Sequence, residues 1–196
     1  MTLKYFISGF FVKMIAGFDD SMVRIPICAN ITRTKTGRVA FAIGVFLAIT
    51  LAILVSLFFG SIIKSFPYSN YISAGLIFLI VFSIYFDWFI QKPKKKIEKK
   101  LKKIKRVSAK RFFKLLTIGF FVAFATIIDD TIVYSALFLG PSSNFPFVIL
   151  GIFSATILQL SVLIYFSEKF MKIKYKKEIT VTGLSILGML ILFGVL

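Results

Sequence analysis

An Asp-Asp pair stands inside an apolar stretch twice in this chain, 110 residues apart, and few folds can hold four carboxylates in that setting. Lys4, Gly9, Phe10, Phe11, Val12, Asp19, Asp20 and Val23 recur without a gap as Lys114, Gly119, Phe120, Phe121, Val122, Asp129, Asp130 and Val133. Ser21 answers to Thr131, a hydroxyl for a hydroxyl. The chain has eight acidic residues, so these two pairs hold half of them. At membrane depth each carboxylate costs roughly 2.5–3.5 kcal/mol, about 10–14 kcal/mol for four, unless it is paired or solvated. A cost of that size, present in both copies of a repeat, points to an ion site.

The apolar runs are about 20 residues or longer, enough to cross a ~30 Å hydrocarbon core. Hydrophobic residues make up 58% of the 196, and the mean hydropathy is +0.91. Such a surface has too few polar groups to stay dispersed in water, and the expected class is an all-α integral membrane protein. The single cysteine, Cys28, excludes an internal disulfide and Cys-x-x-Cys chemistry. With no histidine, imidazole-ligated metal sites and imidazole proton shuttles are excluded too. The first apolar stretch is interrupted by Lys13, Asp19 and Asp20 and lacks a small-residue cleavage site, so it is expected to be a retained helix rather than a signal peptide.

Six spans are expected, at about 5–29, 39–63, 70–90, 112–137, 145–167 and 178–196, with turns at Pro67 and at Gly140-Pro141. Of the 25 basic residues, 21 fall in alternate loops: Arg33 to Arg38, Lys92 to Lys114 and Lys169 to Lys177. The positive-inside rule makes those loops cytoplasmic and leaves both termini outside, in a cell-membrane protein. The net charge of +17 therefore reports topology, and no nucleic-acid partner is expected. The polybasic stretch 92–111, with Ile97, Leu101 and Ile104, suits a short surface helix against anionic lipid. Asp87 beside Trp88 reads as an interfacial anchor.

Gly44-Val45-Phe46 corresponds to Gly151-Ile152-Phe153, and Gly75-Leu76 to Gly183-Leu184. Each copy then has three spans, an odd number, so the second would cross the membrane inverted. Two inverted three-helix repeats, 1–90 and 112–196, joined by a basic linker 91–111, are a transporter architecture with its site where the copies meet.

Adjacent residues on a regular helix point about 100° apart, so both members of an Asp pair cannot face one ion equally. Either one member turns to a basic or hydroxyl partner, or the helix is broken there. Gly17 and Pro26 offer a break in the first span, and the fourth has no such residue. Arg24 follows Asp20 by four residues in the favoured acid-then-base order, and Lys13 lies six residues before Asp19. Their counterparts are Tyr134 and Ala123, so Asp129 and Asp130 are expected to have no cation nearby. Four carboxylates against two cations leave a formal −2, which one divalent ion or two protons would balance. The candidate metal ligands are Asp19, Asp20, Asp129 and Asp130, with Lys13 and Arg24 as counter-charges. Ser21, Thr131, Thr126, Gln159 and Thr156 could supply neutral oxygens, and this all-oxygen set suits hard cations. Met14, Met22 and Cys28 read as packing.

These residues resemble the lysine-exporter-type transporter superfamily and, within it, the cadmium-resistance transporters. The likeness lies in Gly17-Phe18-Asp19-Asp20-Ser21-Met22-Val23 and Ile127-Ile128-Asp129-Asp130-Thr131-Ile132-Val133, in Gly37-Arg38 leading to Gly44, and in the lysine-rich central loop. Relatives usually read Asp-Asn where this chain has Asp129-Asp130. The resemblance implies proton-coupled export of a divalent cation of the Mn, Cd or Ca type as substrate, with no permanently bound cofactor, no enzymatic activity and the four aspartates as its site. Amino-acid export is the alternative within the superfamily, and a non-transporting metal-delivery or assembly factor is the alternative outside it. A thiol electron carrier of related layout would need a cysteine in each copy. The expected partners are the lipid bilayer, a divalent cation and protons, and the glycine-bearing helices permit a homodimer.

Overall fold

The computed structural model describes residues 2–32, 34–86, 112–124, 126–170 and 176–193. Among them are seven α-helices and no strand. The helices are α1 (Thr2–Ile31), α2 (Lys35–Lys64), α3 (Ser69–Tyr85), α4 (Phe112–Phe124), α5 (Ile127–Leu137), α6 (Phe145–Phe170) and α7 (Lys176–Leu192), with a 3-10 turn at Ser142–Asn144 before α6. Thr34 caps α2, its hydroxyl accepting from the Gly37 N–H at 3.2 Å. Tyr68, just after Pro67, takes a left-handed φ of 63° and turns the chain from α2 into α3. Buried hydroxyls within the helices bond back to carbonyls of the preceding turn, as Ser56 does to Ala52 and Thr156 to Ile152. The polybasic linker and the Asp87-Trp88 anchor lie outside the described residues.

Among the described residues, two helical stretches are long and apolar enough to cross a membrane: α2 and Ser142–Tyr165. The α4–α5 pair makes a third if taken as one bent span, while α3 and Val181–Leu192 are shorter apolar helices. The 30 residues of α1 are long enough, but Lys13, Asp19, Asp20 and Arg24 interrupt them. The bundle encloses a small set of buried charges within an apolar core, and its outer faces are apolar as well. Lys13 is 0% exposed and Asp20 0%, while Leu54 is 59% and Phe58 64% exposed.

Each copy of the repeat packs against the other. α1 lies chiefly on α6, α2 on α4, and α3 on α7. Glycines carry these crossings, and their contacts exchange under the repeat. A Cβ on Gly44 would collide with the backbone of Leu116 and Phe120, and one on Gly151 with that of Phe6 and Phe10. Gly9 likewise abuts Val148, and Gly119 abuts Phe41. Phe6 and Phe10 are the counterparts of Leu116 and Phe120, and Phe41 is the counterpart of Val148. Phe46 and Phe153, equivalents of each other, stack with ring centroids 5.2 Å apart. Backbone-to-backbone approach at small residues lets helices pack tightly where no water is expelled to drive them together.

The helix break falls opposite to the sequence expectation. α1 runs unbroken through Gly17 and Pro26, and the interruption separates α4 from α5, whose axes differ by 65°. Gly17 carries no bend because its bare side gives room to the Gln159 amide and the Lys13 ammonium. Thr126 closes α4 instead: its N–H and its hydroxyl both bond the Ala123 carbonyl at 2.9 Å. Gly151→Val should lower the thermal unfolding midpoint in detergent, at a cost of about 1–3 kcal/mol or more from overpacking. Gly140→Ala, with nothing within 4 Å of the new methyl, should leave the midpoint unchanged.

Candidate functional site

The buried charges gather where α1 meets α5. Lys13 of α1 donates to Asp130 Oδ2 at 2.9 Å, and neither side chain is exposed. Its ammonium stands 5.6 Å from the ring centroid of Tyr134, one turn beyond Asp130. Eleven residues along α1, Arg24 donates from one guanidinium nitrogen to Asp20 Oδ2 at 2.6 Å and to the Thr126 hydroxyl at 2.8 Å. The Asp20–Arg24 spacing forms the pair anticipated from it. The expectation that Asp130 has no cation nearby is corrected by Lys13, which approaches across the helix contact rather than along the chain.

The break gives α5 a new start at Ile127, which places Asp129 and Asp130 in its first turn. Both carboxylates are buried there, beside backbone N–H groups whose dipoles favour negative charge. A signal for this start is present in Thr126-x-x-Asp129, the pattern of a helix N-terminus. The Thr126 side chain makes no cap bond to α5, because its hydroxyl donates to Ala123 and accepts from Arg24.

The neutral oxygens divide by position. Thr126 joins the cluster through Arg24. Gln159 of α6 donates its amide to the Lys13 carbonyl at 3.2 Å and stands beside Gly17. Ser21 donates to the Gly17 carbonyl at 2.7 Å, and Thr156 donates to Ile152 of its own helix. Thr131 is buried, and its carbonyl accepts from Ser56 at 3.0 Å. The Asp19 side chain lies outside the described residues. Among the described residues, no three Asp, Glu, Cys or His side chains stand close enough to hold one metal ion. By sequence alone Tyr134 is only the uncharged counterpart of Arg24. Its contact with Lys13 depends on the α1–α5 crossing, which no local pattern reports.

Comparison with known protein families, with curated proteins and with solved structures finds no match for this chain.

A buried charge stripped of its partner is costly, about 3–5 kcal/mol. Lys13→Met and Asp130→Asn should therefore each destabilise strongly, and the double variant should lose clearly less than the sum of the two. A double-mutant cycle on unfolding in detergent measures that coupling. An additive result would mean that the pair contributes nothing.

Proposed function

We propose that this chain is a multi-pass membrane transporter that exports a divalent cation in exchange for protons, through the carboxylates of its two Asp pairs. The observation that carries the reading is the inside-out distribution of charge: Lys13, Asp20, Arg24, Asp129 and Asp130 are buried in a bundle whose outer faces are apolar. A soluble fold would reverse that arrangement, and a purely structural membrane bundle would gain little from such costly groups. Six spans in two inverted three-helix repeats accommodate the exchange of contacts between the copies. The broken fourth span, with carboxylates at the new helix start, is the kind of element on which transporters build their sites.

The ion follows from the charge count. Lys13 and Arg24 are each bonded to one carboxylate, and the four aspartates with these two cations carry a formal −2. A divalent cation balances it, as do two protons, and a carboxylate must give up its proton to ligate metal. Competition of that kind is the basis for antiport. The resemblance to cadmium-resistance transporters agrees with this substrate class. Export of an amino acid fits less well, because a zwitterion also brings a carboxylate, and both cations of the cluster are already engaged by aspartates.

Calorimetry of Mn²⁺, Cd²⁺, Ca²⁺ and Mg²⁺ binding to the detergent-purified protein tests the reading. Binding of at least one ion is expected to weaken as pH falls. Asp129→Asn should reduce its affinity by about tenfold or more, since ligation requires the deprotonated carboxylate. No heat with any of the four ions would remove the metal reading and leave amino-acid export as the stronger one.

A further inference from the structure

Asp20 and Asp130 hold the same place in the two copies, and each is followed four residues later by a long side chain on the same helix face. After Asp20 that residue is Arg24, whose guanidinium closes on Oδ2 at 2.6 Å. After Asp130 it is Tyr134, which brings a neutral hydroxyl to the place of a cation. Tyr134 is fully buried, and its hydroxyl faces the Asp130 carboxylate, with the charges of Arg24 and Asp20 also near enough to act on it. Among the described residues, neither the Tyr134 hydroxyl nor Asp130 Oδ1 has a hydrogen-bond partner. Two buried polar atoms left unpaired one turn apart are costly, and a cation between them would satisfy both.

The cation already in this corner is a tethered one. Lys13 crosses from α1 to Asp130 Oδ2, and its ammonium stands beside the Tyr134 ring. A second acceptor lies close to it. A Cβ on Gly17 would stand 2.9 Å from Lys13 Nζ and 2.7 Å from Gln159 Oε1, so ammonium and amide oxygen share the bare side of Gly17. The Gln159 amide nitrogen donates to the Lys13 carbonyl at 3.2 Å, which leaves Oε1 to accept from the ammonium. The counterparts of Lys13 and Gln159 are Ala123 and Ala52, so this arrangement belongs to one copy only.

We infer that Asp130 and the Tyr134 hydroxyl form a cation seat that Lys13 fills as a tethered competitor, and that a divalent cation enters it by moving the Lys13 ammonium onto Gln159 Oε1. The inference rests on the transport reading and deepens it: Tyr134 becomes a ligand, and Lys13 the group that tunes affinity. Among the described residues no three carboxylates converge, so neutral oxygen has to complete the set, and hard divalent cations accept such donors. No proton is gained or lost in the exchange. The ammonium keeps its charge and an acceptor throughout, while the metal gains both oxygens of Asp130. A seat filled by its own tether shows an affinity reduced by the fraction of time it stands free. An ion held less tightly is also an ion that can leave.

Calorimetry with Mn²⁺, Cd²⁺, Ca²⁺ and Mg²⁺ on the detergent-purified wild type, Lys13→Met and Tyr134→Phe tests the seat. Lys13→Met should bind at least one ion about tenfold more tightly, the gain for a seat that is free in about a tenth of wild-type molecules. Tyr134→Phe should weaken binding of the same ion by about tenfold. It should not lower the thermal midpoint, because the hydroxyl it removes bonds nothing in the bundle. Tyr134→Phe therefore carries the test if Lys13→Met does not fold. Tightening by Lys13→Met with no effect of Tyr134→Phe would reflect the lost positive charge alone and would overturn the seat. Weakening by Tyr134→Phe without tightening by a folded Lys13→Met would overturn the tethered competitor. Wild-type binding that neither variant changes would overturn the whole inference and leave the transport reading standing. Binding by Lys13→Met that the added Tyr134→Phe abolishes, beside a silent wild type, would support the seat and count against the transport reading. Silence in every protein that folds would overturn both.

Discussion

The burial of charge where α1 meets α5 is the constraint on which the rest of this bundle depends. Lys13 reaches Asp130, and Arg24 joins Asp20 to Thr126, with almost no exposure of these side chains. Each pair replaces water that the interior does not supply, and removing one partner would leave a charge costing several kcal/mol. The arrangement thus specifies which helices meet. α1 provides both cations, so it must lie against the helix carrying the second Asp pair, and Thr126 must stand at the start of that helix to take Arg24. The helical run from α4 to α5 is broken at this place. Its new start at Ile127 gives Asp129 and Asp130 a first-turn setting that an unbroken helix would deny them.

Around this cluster the helices approach as closely as their glycines allow. Gly9, Gly44, Gly119 and Gly151 place backbone against backbone at crossings that exchange under the repeat. Such contacts suit a lipid surrounding, where burial of apolar side chains gains little and close packing supplies the attraction. The same economy explains the outward leucines and phenylalanines, whose place in water would be unfavourable. The copies nevertheless differ where the charges differ. Arg24 and Lys13 have no charged counterparts in the second copy, and α1 stays whole while its counterpart is divided into α4 and α5.

The sequence by itself determined the helical character of the chain, the positions of its apolar helices, the likeness between its two halves and the Asp20–Arg24 pair. These are local properties: runs of apolar residues, identities recurring at offsets of 107 to 110 residues, and a spacing of four along one helix. Tertiary structure alone decided that Lys13 belongs to Asp130, because 117 residues separate them and only the α1–α5 crossing joins them. It also decided where the break falls. Gly17 and Pro26 favour a bend in α1 by propensity, but Gln159 and Lys13 occupy the space beside Gly17, while Arg24 engages Thr126 between α4 and α5. Local preference yields there because the energy of a buried charge exceeds the small bias of a glycine or the weak signal of a threonine.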